Sequence, residues 1–284
     1  IQNEDLMQTL YEAYLLHSSN KNIDKHRKNV HSMLTKPYDS YKSNGVLQYH
    51  FVFNDNKAFL RMHKPSKFGD DLTTVRTDFV KTNTTHEVVR GFAQGRTSHA
   101  FRNVYPIFYD GIHIGAVEIS FSSELLQNYF TEINKLHTHF LVRKDIFDSH
   151  AWKRDDLVLQ YQESAEHEKY MITMTSAHKT EVCIVQNKER LKNISEIIHH
   201  KMNQNEKFAL YETLENKTHV FAFYPITHNT TKEVVAWIVS YNTSDVISQT
   251  YRTVFFIKII SYIQLISATH LHKIMPPFSL KLLS

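Results

Sequence analysis

Residues 105–120 of the chain read YPIFYDGIHIGAVEIS, and residues 224–240 read YPITHNTTKEVVAWIVS. Both open on Tyr-Pro-Ile and pass through a polar turn. Both close on an apolar run carrying a small residue, Gly115 and Ala116 in the first copy and Ala236 in the second. A polar turn between two strand-like runs predicts a β-hairpin. A lone hairpin is marginal in water, so each copy needs more strands or a helix to bury its face. Spelling the hairpin twice, about 120 positions apart, predicts two modules in tandem. A length of 284 residues accommodates two ordinary domains.

The sequence around each hairpin supplies those partners. Residues 4–34 place Leu6, Leu10, Tyr14, Ile23, Val30 and Leu34 at helix-compatible spacings, with no Gly or Pro before Pro37. We expect one long amphipathic helix with a basic middle over residues 1–44. Its stripe must pack along a domain, pair with a copy of itself, or both. After Asn44-Gly45 the period changes to two, and VLQYHFVF sets Leu47, Tyr49, Phe51 and Phe53 on one face. A turn at 54–56 leads to a returning strand, KAFLRMH. Residues 70–82 read as a helix capped by Asp70 or Asp71, with Leu72, Val75, Phe79 and Val80 inward. A loop holding Gly91 and Gly95 precedes the hairpin, and SSELLQNYFTEINKLH follows it as a helix. The remainder repeats the order more loosely. Strands are expected at HFLVRKDIF and EVCIVQ, a helix at KERLKNISEIIHHKM, and then the second hairpin. Sheets with helices segregated to their sides make an α+β chain. The expected division is 1–44 helix, 45–138 first module, 139–250 second module and 251–284 exit helix and tail.

Composition narrows the function. An apolar content of 42% excludes a disordered chain. Lys and Arg exceed Asp and Glu by only four, too small a balance to argue for nucleic acid. The single cysteine, Cys183, sits in an apolar strand-like run and forms no internal disulfide. The chain opens without Met or a signal peptide, as expected of a piece of a longer protein. Residues 253–268, TVFFIKIISYIQLISA, contain Lys258 and Gln264 and fall short of the roughly 18 apolar residues of a membrane span. They read as an exit helix or the approach to a span. The 19 histidines, among them His137-x-His139 and His199-His200, lack metal-ligand spacing. No P-loop, Gly-x-Ser-x-Gly, His-Glu-x-x-His or Cys-x-x-Cys-His occurs. The chain therefore reads as a non-enzyme with no cofactor implied.

Two segments carry a resemblance. FLRMHKPSKFGDDLTTVR, residues 59–76, resembles a Leu-Arg-x-His-x-Pro…Gly-Asp-x-Leu…Arg signature. RGFAQGRTSHAFRNVYPIFYDGIHIGAVEIS, residues 90–120, resembles a Gly…Gly…Arg-x-x-x-Pro…Gly-x-x-Ile-Gly-x-x-Glu run. Both belong to a subfamily of the double Cache ectodomains, two PAS-like modules behind a long helix, on bacterial transmembrane receptors. The match covers residues 45–122 well and the second half in outline. It departs at Gly91-Phe92-Ala93, and the Arg-x-Trp-Tyr core of amino-acid-binding Cache domains is absent. Amino-acid recognition is therefore not carried over. The resemblance implies a periplasmic sensor region of a sensor kinase, chemoreceptor or diguanylate cyclase. It also implies flanking transmembrane helices. The apolar stripe through Leu6, Leu10 and Tyr14 is longer than one module can cover and predicts a parallel homodimer in the intact receptor. The dense run of Arg, His, Gly and Asp in the first half places a small solute in the membrane-distal module. The alternative is a structural or dimerisation ectodomain.

The site candidates are Arg61, His63, Asp70, Arg76, Arg102 and Tyr105. Alternation puts Phe59, Arg61 and His63 on one face, where an arginine and a histidine can clasp a carboxylate-bearing or otherwise anionic ligand. Equally, Arg61 can pair with Asp70 or Asp71 and pin its strand. Arg76 can complete a cationic pocket or lie solvated on a helix. Arg102 and Tyr105 face opposite sides of their strand, so at most one lines a shared cavity. Glu118 is expected in a buried ion pair or an edge contact. RGFAQGR is an anion-loop candidate, or its glycines serve only positive φ.

Overall fold

The computed structural model describes residues 3–94, 99–134, 136–148, 161–174, 188–214 and 217–243. Cys183 with its expected strand, and the expected exit helix at 253–268, lie outside the described residues. The described chain forms two compact units, residues 3–94 with 99–122 and residues 123–243.

The first unit runs α1 (Asn3–Ser18), α2 (Asp24–Ser43), β1 (Val46–Phe53), β2 (Ala58–Arg61), α3 (Thr77–Thr85), β3 (Val89–Gln94), β4 (His99–Tyr109) and β5 (Ile112–Phe121). Its antiparallel sheet has the order β2-β1-β5-β4-β3. The second unit runs α4 (Ser123–Asn134), β6 (His137–Arg143), α5 (Lys144–Asp148), β7 (Tyr161–Glu163), β8 (Tyr170–Thr173), α6 (Lys188–Leu191), α7 (Ser195–Asn203), β9 (Phe208–Leu214), β10 (Lys217–Thr227) and β11 (Val234–Thr243). Its order is β7-β8-β6-β11-β10-β9. With the extra edge strand β7 set aside, the two sheets have one topology. The repeated hairpins, β4–β5 and β10–β11, occupy equivalent places. Helix α4 groups with the second unit, where Gln127 Nε2 donates to Thr173 Oγ1 at 2.9 Å.

The shared Tyr-Pro-Ile has a backbone reason. Proline has no N–H for a ladder, so it needs a position with a free side. β3 pairs with β4 only as far as Val104, and β9 pairs with β10 only as far as Phe223, so Pro106 and Pro225 each lie just past a neighbour's end. In both hairpins the register shifts immediately after the isoleucine, at Ile107/Phe108 and at Ile226/Thr227. Gly115 has its own constraint. A Cβ there would sit 2.1 Å from the carbonyl oxygen of Val52, and its φ is +156°.

The N-terminal helical segment is not one rod. Asn20 adopts a left-handed φ of 53°, Lys21 N–H donates to Leu16 O at 2.8 Å, and Asn20 N–H donates to His17 O at 2.9 Å. That pair of bonds is a Schellman stop with Asn in the glycine position. Asn22 Oδ1 then accepts from Asp24 N–H and starts α2. The chain folds back, so that His26 meets Glu12 at 3.3 Å. In one straight helix those residues would be about 20 Å apart. Leu6 and Leu10 are only 2% and 4% exposed, packed with Val30, Leu34, Tyr49, Phe51, Tyr105 and Ile107 on one face of the first sheet. The stripe expected to await a second copy is thus covered within its own unit. Among the described residues no helix is long and apolar enough to cross a membrane.

Three further local expectations change. The helix expected over 70–82 begins only at Thr77, because the side chains of Asp70 and Asp71 are used otherwise. Asp70 pairs with Arg61, and Asp71 Oδ1 accepts from Thr73 N–H in an Asx turn. The segment around Gly91 is strand β3 rather than a loop, its Gly91 standing opposite Arg102. Residues 188–203 form two short helices, not one.

Candidate functional site

The face of the first sheet opposite α1 and α2 is polar at one end. Register places Arg61 across from His50, His50 across from Glu118, and Gln48 across from Ser120, which stands opposite Arg102. Directly paired residues share a face, so these six side chains form a continuous strip. Apolar contacts among Val52, Leu72, Phe79, Val104 and Ala116 seat α3 on the rest of that face.

Glu118, fully buried, is the hub. Its Oε1 accepts from Arg102 Nη1 in a short contact, and its Oε2 accepts from Arg76 Nη2 at 2.8 Å. Arg76 arrives from the residue preceding α3. It also donates from Nε and Nη2 to the two oxygens of Asp78, both at 2.9 Å, and lies over the Phe79 ring. Arg102, 1% exposed, donates further to Gln48 Oε1 at 3.2 Å. His50 Nδ1 lies 3.7 Å from Glu118 Oε2. Two arginines and two carboxylates balance, which a water-excluded cluster requires.

Burial alone would raise the Glu118 carboxyl, but Arg102, Arg76 and His50 together hold it well below the usual range. Asp78 is likewise lowered, burial being outweighed by Arg76. Burial, with Arg61 and Arg76 nearby, pushes the His50 imidazole down to about 4 against the pull of Glu118. His63, at the solvent edge, is also pushed to about 4, by desolvation and then by the surrounding arginines. Both rings are therefore neutral near pH 7, each able to donate from one nitrogen and accept at the other. Within this strip His50 Nε2 and Ser120 Oγ are buried and have no hydrogen-bond partner among the described residues.

The sequence candidates divide accordingly. Arg76 and Arg102 meet at Glu118, and His63 lies beside His50 with ring centroids 6.4 Å apart. Of the two readings open for Arg61, the pair with Asp70 is formed. Nη1 and Nη2 reach the two carboxylate oxygens at 2.7 and 2.9 Å, and Nη1 also reaches Lys67 O. Tyr105 points to the helix-covered face, with Arg90 over its ring. Sequence reasoning missed His50, Gln48, Asp78 and Ser120. The alternation in VLQYHFVF carries the signal for the first two, since Gln48 and His50 must oppose Tyr49 and Phe51.

The second unit holds a smaller buried cluster. His139 Nδ1 and Glu166 Oε1 are 2.5 Å apart, Ser164 Oγ donates to Glu166 Oε2 at 2.6 Å, and His137 Nε2 lies 3.0 Å from His139 Nε2. Among the described residues no group of three or more His, Cys, Asp or Glu is placed to hold a metal ion.

Comparison with known proteins gives several similar solved structures and one family model. A domain of a sensory box/GGDEF family protein from Vibrio parahaemolyticus is 14% identical, covers 85% of this chain and 86% of its own, and superposes with a TM-score of 0.43. The ligand-binding domain of the Campylobacter jejuni chemoreceptor Tlp3, solved in complex with 4-methylisoleucine, is 15% identical over 88% of this chain and 86% of its own, with a TM-score of 0.41. The sensor domain of the V. cholerae histidine kinase DctB is 8% identical over 83% and 84%, with a TM-score of 0.40. No curated protein matches significantly. The family model for dCache_3, described as the double sensory domain of two-component sensor kinases, matches residues 2–166. That match spans more than half of the chain, and the protein belongs to the dCache_3 family of double sensory domains.

Proposed function

We propose that this chain is the extracytoplasmic sensing region of a bacterial transmembrane receptor. In this reading the first unit is the membrane-distal module and binds a small carboxylate-bearing solute on its polar strip. The observation that carries the reading is the pair of buried polar atoms without a partner among the described residues, His50 Nε2 and Ser120 Oγ, beside a balanced ion network. Unmade hydrogen bonds in a water-excluded place cost about 1–3 kcal/mol each, and a ligand that makes them recovers that cost.

The chemistry of the strip suggests how binding is reported. A carboxylate reaching Arg102 and Arg76 competes with Glu118 for their donors, while neutral His50 and His63 and the Ser120 hydroxyl complete its hydrogen bonds. Arg76 is joined to α3 through Asp78 and Phe79, so a change at Arg76 is a change at the start of that helix. Only a ligand with different affinities for two arrangements of α3 shifts the equilibrium between them. Arg61 serves this site by fixing the loop through Asp70. The intact receptor is a homodimer anchored by membrane helices on either side, pairing through surfaces other than the covered Leu6–Leu10 stripe.

A thermal-shift screen of small carboxylates tests the proposal. A ligand present at about 100 times its dissociation constant adds about 2.7 kcal/mol to stability. Ser120→Ala should reduce that gain. No shift with any carboxylate, or a shift that Ser120→Ala leaves intact, contradicts it.

A further inference from the structure

The α1–α2 turn and the loop after β2 enclose a cleft of about 300 Å³ within the first unit, sharing no residue with the Glu118 cluster. That volume lies at the lower end for small-molecule sites. Lys21, Asp24, Arg27, Lys57, Phe68 and Gly69 are among its walls.

Arg27 is the unusual member. It is 7% exposed, yet its guanidinium makes one hydrogen bond, from Nη2 to Asp24 Oδ1 at 2.6 Å. Its Nε and Nη1 have no acceptor among the described residues. A guanidinium carries five N–H donors and cannot shed its charge, and the donors that Asp24 leaves unused keep solvent contact, where an acceptor entering the cleft can reach them. The Phe68 ring lies against it, 3.2 Å from the guanidinium carbon to the ring centroid, and remains 44% exposed itself. That contact covers one side of the arginine.

The other walls favour negative charge. Lys21 has no ion-pair partner among the described residues, and the exposed Lys57 has only a 3.3 Å contact to Asp55. Asp24 is the one carboxylate in the lining. The twenty-residue helix α2 begins there, its positive end adding to the same field. The wall itself is held in place. Arg61 clamps Lys67 O and Asp70 on either side of Phe68 and Gly69, and Gly69 N–H donates to Ala58 O at 2.7 Å. The arginine and aspartate of the segment 59–76 thus build this cleft.

We infer that the cleft is an anion site of its own, taking a small carboxylate- or phosphate-bearing solute through the unpaired donors of Arg27, with Lys21 and Lys57 flanking it. It does not depend on the ligand proposed for the polar strip.

Calorimetric titration of the 284-residue chain with succinate and, separately, inorganic phosphate tests the inference. At least one should bind saturably with a dissociation constant at or below about 1 mM. Affinity should fall with added salt. The tighter of the two names the oxyanion. Arg27→Gln should weaken binding about tenfold or more, as loss of a charge-assisted contact does. Lys21→Gln with Lys57→Gln changes only exposed side chains and should weaken it several-fold with the fold intact. His50→Asn, in the polar strip, should leave it unchanged. The inference is overturned if neither probe saturates, if the double lysine variant binds as tightly as the parent, or if His50→Asn abolishes binding.

Discussion

Arg76 Nη2 donates to Glu118 Oε2 at 2.8 Å, joining the start of α3 to the middle of β5 across 42 positions of sequence. Arg102 takes the other carboxylate oxygen, so one buried anion holds two buried cations. Glu118→Gln removes the charge and leaves both arginines under-compensated. Breaking a buried pair this way costs about 3–5 kcal/mol. Urea unfolding followed on the first unit should register that loss, and a cost below about 1 kcal/mol would mean the network is solvated.

The depressed histidines give the first unit a pH dependence of definite sign. His50 takes up its proton near 6.5 when unfolded but only near 4 when folded, and buried His99 only near 3. The unfolded chain therefore binds protons first, and stability falls as pH drops from about 6.5 toward 4. For His50 the full interval corresponds to about 3 kcal/mol. The lowered Glu118 and Asp78 act in the same direction further down. Their contribution is complete above the ordinary carboxylate range and is lost as pH falls below it. Chemical denaturation at pH 7 and pH 5 should show the decline, and His50→Asn should flatten it.

Arg61 and Asp70 should behave as a coupled pair. Arg61→Ala and Asp70→Asn each loosen the loop carrying Phe68, and the double variant should cost less than the two losses added. A double-mutant cycle should give a coupling of about 1–2 kcal/mol. Strict additivity would show that the two bonds contribute nothing to stability.

Gly115→Ala should be among the most damaging small substitutions in the chain. The new methyl group meets the Val52 carbonyl at 2.1 Å on a strand paired on both sides, at a φ that side chains rarely adopt. A loss above about 3 kcal/mol, or failure to fold, is expected by thermal melting. The equivalent hairpin already carries Ala236 without such a clash, buried opposite Val142.

What the sequence made legible follows from which signals are local. Alternation and turn chemistry are local, so the two hairpins, β1, β2 and α4 were readable from residues a few positions apart. The Schellman stop at Asn20 was also local, but the helical spacing of Leu6 through Leu34 masked it. The Glu118 cluster was not legible as a unit. Gln48, His50, Arg76, Arg102 and Glu118 come from four separate segments, and only the sheet register brings them together. Asp70 illustrates the remaining difficulty, since as a helix cap or as the partner of Arg61 it presents the same sequence.

The proposed function rests on a small carboxylate binding the first unit beside His50 and Ser120. Its most direct test is a heteronuclear NMR titration of the histidine side chains with the compound selected by thermal shift. Saturable shifts of the His50 and His63 ring signals are expected, with those of His137 and His139 in the second unit unmoved. Saturable shifts confined to His137 and His139, with His50 and His63 unchanged, would contradict it.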